Sequence, residues 1–182
     1  MRSLTSLFLS ALVAATLTLP ARADNFWQHP AIKDGGAMHP LPDAAIQPDR
    51  SQTYKVVFSV TKAASDPKDV NDALDHVARA VNVFVSAGVP LDHLKFVAIV
   101  HGGATPLVLD NAHYRKQFGT DNPNLQLIHE LKDAGVQIVV CGQALASLKY
   151  DVSELNPDVK PALSALSTII ILQQQGYALM PM

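Results

Sequence analysis

The sequence predicts an α/β domain built on a mostly parallel sheet. Short apolar runs rich in β-branched residues alternate along the chain with segments whose apolar residues recur every three or four positions. The joints between them are short and carry Gly or Pro, the punctuation of strand–helix units. One run, Lys95–Val100, reads Phe-Val-Ala-Ile-Val after its lysine, near-continuous apolarity that suits a parallel strand covered on both faces.

Taken in order, Met1–Ala23 reads as a secretory signal. Arg2 supplies the positive start, Leu4 to Leu19 form an apolar run, and Ala21-Arg22-Ala23 places small residues where a signal peptidase cuts. The run is short for a membrane span and no basic stop-transfer cluster follows, so cleavage and a periplasmic protein free of the membrane are expected. Residues 24–53 form a Pro-rich arm. Pro30, Pro40, Pro42 and Pro48 interrupt helix and central strand, while Phe26, Trp27 and Ile32 are too apolar for a solvated linker. Such an arm should lie on the domain or on a neighbouring subunit, with His29 and His39 as surface histidines.

The regular domain spans residues 54–182. Tyr54–Val60 is a buried strand. Asp66 is then expected to cap a helix with Pro67 at its first position, Val70, Ala73, Leu74, Val77, Val81, Phe84 and Val85 inward, and Gly88 closing it. On that helix Asp75, Arg79 and Asn82 fall on solvated faces. After Lys95–Val100 come His101-Gly102-Gly103 and a helix over Leu107 to Phe118. Asn122-Pro123 breaks the chain, Asn124–Ala134 is helical, and Val136–Val140 is a strand running into Cys141-Gly142. A short helix follows from Gln143 to Leu148. Pro161 is expected to open a last apolar helix through Gln175, before a terminal strand at Tyr177–Met180.

Composition narrows the function. The chain has 182 residues, enough for one domain, and its 48% hydrophobic and 16% charged content excludes disorder of the whole chain. Loss of Arg2 and Arg22 with the signal lowers Lys+Arg from 14 to 12 against 16 Asp+Glu, a formal −4. A mildly acidic chain with no basic cluster has no electrostatic footprint for nucleic acid. No dinucleotide fingerprint, phosphate-binding loop or G-x-S-x-G elbow is present, so no cofactor is expected. Metal-ligand spacing is absent too, although His101, His113 and Cys141 could converge in space.

Two features land on the carboxyl edge of the sheet, where open parallel sheets bind ligands. Cys141, the single Cys, ends a strand directly before a helix, whose N-terminal amides favour a thiolate; Gly142 leaves the sulfur uncrowded. The bland alternative is a small buried hydrophobe. His101 closes the neighbouring strand and could donate to an anion held there, with Gly102, Gly103, Gly142 and Gln143 as the backbone and side chain lining the site. Those glycines could equally just turn the chain. The stretch Leu166–Leu172 is apolar nearly all round, consistent with packing between subunits or a deep position in one domain.

Gly135-Val-Gln-Ile-Val-Val-Cys141-Gly142-Gln-Ala-Leu145 resembles the strand–Cys–helix segment of the DsrE/DsrF-like (YchN/TusD-type) sulfur-relay proteins. His101-Gly102 and the closing Gln175-Gly176-Tyr177-Ala-Leu resemble the exported branch of that group. The resemblance implies a flavodoxin-like open sheet of about five strands with helices on both faces, assembled as trimers or hexamers. It also implies that Cys141 accepts a sulfane sulfur as persulfide and passes it to a partner thiol. The chain departs from intracellular relay members at Leu148-Lys149-Tyr150, where those often carry an Arg-Gly step. An exported member needs an exported donor, a polysulfide or another exported protein. A binding or assembly module with a structural cysteine is the alternative.

Overall fold

The computed structural model describes residues 26–182, so the predicted leader over residues 1–23 lies outside the described residues. Five strands form one sheet: β1 (Tyr54–Val60), β2 (Leu94–Val100), β3 (Gln137–Cys141), β4 (Lys160–Ala162) and β5 (Ala178–Pro181), in the order β4-β3-β2-β1-β5. All four pairings are parallel, giving the predicted flavodoxin-like α/β sheet. The helices are α1 (Asp72–Ser86), α2 (Asn111–Phe118), α3 (Leu125–Asp133), α4 (Gly142–Leu148) and α5 (Ala165–Gln174).

Right-handed crossovers decide which face each helix covers. From β1 to β4 the chain moves steadily in one direction across the sheet. α1, α3 and Leu145 of α4 therefore pack on one face, against Phe58, Val60, Phe96, Ala98, Val100, Ile138 and Val140. The step from β4 back to β5 runs the other way and carries α5 to the opposite face, over Val57, Val97, Ile99 and Cys141. Crossovers from the neighbouring strands β3 and β4 thus leave on opposite sides. That divergence is a topological switch point, the place where doubly wound sheets open a crevice. Cys141, last residue of β3, sits at it.

Several elements begin elsewhere than the sequence predicts. α1 starts at Asp72, capped by Asn71, whose side chain accepts from the Ala73 and Leu74 amides. Asp66 instead closes a local turn through the Lys68 and Asp69 amides. The segment predicted as one helix from Leu107 to Phe118 is a 3-10 stretch, Gly102–Val108, followed by α2 with Asp110 as its cap. Pro161 lies in β4 rather than opening a helix. Edge position makes its missing N–H tolerable, and α5 starts only after Ser164, which caps it through the Ser167 amide.

The arm lies on its own domain. Gln28 and Met38 pair as an antiparallel bridge, and Ile32 and Met38 enter the core. Asn82, predicted solvated, is 0% exposed and holds the arm. Its Oδ1 accepts from the Ala31 and Ile32 amides, and its Nδ2 lies within hydrogen-bond distance of the Ile32, Gly35 and Gly36 carbonyls. Asp75 accepts from the Gly36 amide, and Glu130 of α3 accepts from those of Lys33 and Asp34. Gly36 presses so closely on α1 that a Cβ there would stand 2.3 Å from the Ala78 carbonyl carbon. His29 and His39 each donate Nδ1–H to an arm carbonyl, of Gly35 and Phe26 respectively.

Candidate functional site

The carboxyl ends of β2 and β3 bring two of the predicted residues to one place. Val100 and Val140 are the last ladder pair between these strands, so the next residues are His101 and Cys141. His101 keeps extended backbone, φ −158° and ψ 179°, so the alternation of β2 continues through it. Val100 faces the α1–α3 core, which puts His101 on the α5 face with Val97 and Ile99. Cys141 packs on that same α5 face.

Cys141 is 7% exposed. It also serves as the N-cap residue of the seven-residue α4, without a side-chain capping bond. The β4–α5 connector lies against this corner on the α4 side. Ala162 is the ladder partner of Cys141, and a Cβ on Gly142 would stand 2.7 Å from the Ala162 carbonyl oxygen and 3.3 Å from that of Leu163. Glycine at 142 is thus what lets the connector lie this close. Gln143 Nε2 donates to the Leu163 carbonyl at 3.3 Å, fixing the connector from the α4 side. Leu163 itself, 76% exposed, projects outward.

His101 is half-buried, and that burial holds its imidazole below the ordinary histidine range, so it is neutral near pH 7. Its Nε2 lies 2.9 Å from the Ser59 hydroxyl oxygen, and its own amide donates to the Val60 carbonyl. Ser59, 9% exposed, is the one polar residue in the inward half of β1. No sequence motif marks it. Its signal was a lone hydroxyl in an otherwise apolar strand interior, where a buried polar group needs a partner.

Gly102 and Gly103 have a packing role. Gly102 takes φ +58°, and a Cβ on it would meet the Thr61 carbonyl oxygen at 3.3 Å. The pair turns the chain off β2 against the segment leaving β1, where the Ala104 amide donates to Thr61. Gly103 also lines a cavity of about 250 Å³ with Ala63, Pro67, Tyr114 and Phe118, and Cys141 does not line it. His113 does not join Cys141. It stands on α2 with Nδ1 2.8 Å from Asp110 and Nε2 3.8 Å from Glu154. Among the described residues no group of three or more His, Cys, Asp or Glu side chains is arranged to hold a metal ion.

The profile of the DsrE/DsrF-like family matches residues 54–182, which hold the whole described sheet and helices α1 to α5. The chain belongs to the DsrE/DsrF-like family. Five chains of solved structures also match it. One is a protein of unknown function from Methanobacterium thermoautotrophicum, 16% identical, with a TM-score of 0.52 over 71% of this chain and 99% of that one. At that identity the likeness speaks for the fold. No curated protein matches the chain. The arm lies outside the family match, so its anchorage on α1 and α3 is an addition to the family domain in this chain.

Proposed function

We propose that this DsrE-like protein is an exported sulfur carrier in which Cys141 holds a sulfane sulfur as a persulfide. The observation that carries the reading is the position of Cys141 at the switch point of the sheet, on the same face as His101. The Cys141 thiolate attacks the outer sulfur of a donor persulfide or polysulfide. One S–S bond forms to Cys141, the donor's S–S bond breaks, and the donor thiolate leaves with the electron pair. An acceptor thiolate then attacks the outer sulfur and releases Cys141 unchanged, so no net oxidation occurs. The neutral His101 imidazole supplies an N–H donor for the anionic outer sulfur. Donor and acceptor are exported molecules, a polysulfide or a protein thiol.

Access requires the β4–α5 corner, where Ala162 pairs with Cys141 and Ala165 packs in its cluster, to open. β4 has three residues, lies at the sheet edge, and carries Pro161 without an N–H, so local opening there breaks few bonds. The competing reading, a binding or assembly module in which Cys141 only packs, draws on its burial. Alkylation decides between them. The carrier reading expects Cys141 of the folded protein to label at neutral pH far faster than global unfolding exposes it. Labelling only at the unfolding rate contradicts it.

Assembly into homo-oligomers, trimeric or hexameric, belongs to the same proposal. Its support is the outer surface of α5 and β5. Leu166, Ile170 and Ile171 of α5 and Leu179 and Met180 of β5 are exposed there, Leu166 by 78%, next to the unpaired edge of β5, with exposed Leu163 in the connector before α5. A chain carrying Leu166→Glu and Ile170→Glu should sediment as a folded monomer where the parent sediments as an oligomer. An unchanged mass contradicts α5 as the interface.

A further inference from the structure

We infer that Ser59 is a positioning residue for His101, fixing the imidazole as the tautomer that carries its proton on Nδ1. The observation is the 2.9 Å contact between Ser59 Oγ and His101 Nε2. Ser59 is 9% exposed, and its hydroxyl makes no other hydrogen bond among the described residues. A buried hydroxyl needs an acceptor for its proton, and neutral imidazole offers one at its unprotonated nitrogen. The Ser59 proton therefore points at Nε2, and the ring proton goes to Nδ1.

The consequence reaches the sulfur site. Ser59 is on β1, His101 directly follows β2 and Cys141 ends β3, so the histidine stands between hydroxyl and thiol on one sheet face. With Nε2 engaged toward β1, Nδ1–H is the ring donor left for an anion on Cys141. Nothing else in the inward half of β1 can do this, because Val57, Phe58 and Val60 are apolar. The effect on sulfur transfer rests on the persulfide reading, whereas the tautomer assignment stands apart from it.

Nitrogen-15 spectra of the folded protein test both. The His101 signals are assigned by their loss in His101→Gln. The parent should show a protonated Nδ1 and an unprotonated Nε2. Ser59→Ala should release the ring to a mixture or to the opposite tautomer, and Ser59→Thr, which keeps the hydroxyl, should restore the parent pattern. The rate of sulfur loading on Cys141 should fall by about three- to tenfold in Ser59→Ala and recover in Ser59→Thr. A protonated Nε2 in the parent, or an unchanged tautomer in Ser59→Ala, overturns the inference. A released tautomer with an unchanged loading rate overturns the positioning role. A parent that shows the Ser59-dependent tautomer but takes up no sulfur upholds the tautomer assignment and contradicts the carrier reading instead.

Discussion

Asn82→Ala should lower the stability of the folded chain by about 3–4 kcal/mol, the largest single-site loss expected outside the apolar core. Asn82 is fully buried, and its side chain meets two amides and three carbonyls of the arm. Alanine leaves all five of those backbone groups without that partner, beside Ile32, which is only 1% exposed. Unsatisfied buried groups are the expensive outcome, more so than the modest net worth of each bond. For a domain of this size the loss corresponds to a fall of about 10 °C in the unfolding midpoint. Hydrogen exchange should localise it, with the Ala31 and Ile32 amides losing protection before those of β1 and β2. A midpoint within about 1 °C of the parent would show that the arm contributes nothing to stability and that Asn82 does not hold it.

Cys141→Ala should abolish sulfur uptake entirely and leave the fold in place. The side chain packs with Val57, Val97, Ile99 and Ala165, so the sulfur atom behaves there as a small apolar group. Its removal costs about 1 kcal/mol, too little to unfold the domain. Serine is the poorer control. Its hydroxyl would put a polar group among those apolar side chains and within reach of His101, at a cost of about 1–3 kcal/mol, mixing a stability effect into the reading. Uptake that persists in Cys141→Ala, in a chain with no other cysteine, would remove the thiol from the chemistry altogether.

The sheet was legible because its central strands declare themselves. Tyr54–Val60, Lys95–Val100 and Val136–Val140 are apolar runs with no competing period, and each appears as a parallel strand within a residue or two. β4 escaped because three residues containing a proline carry no strand signal, and the neighbouring apolar run overwhelmed them. The cap of α1 lies away from its expected position for a related reason. Asp66-Pro67 is the stronger local pattern, yet Asn71 is held from outside, its amide donating to Asn124 and its side chain to the Lys62 carbonyl. Tertiary hydrogen bonds of that kind leave no mark at short range.

The same division runs through the site. Cys141 and His101 stand out as candidates because each closes an apolar run with a distinctive residue, and strand order places the two side by side. The packing around Cys141 is invisible in the sequence, since it depends on where residues 162–165 return. Asn82 looked solvated because its helix position lies off the apolar stripe, and the arm that buries it comes from about 50 residues away. Ser59 was hidden by its own surroundings, one hydroxyl in a strand that otherwise reads as core.

The most direct test of the carrier reading is the intact mass of the purified protein after brief exposure to polysulfide, measured before and after a reductant. The predicted result is a gain of one sulfur that the reductant removes and that Cys141→Ala never acquires. No gain in the parent, with Cys141 protected from alkylation until the protein unfolds, would contradict it and leave Cys141 as a packing residue.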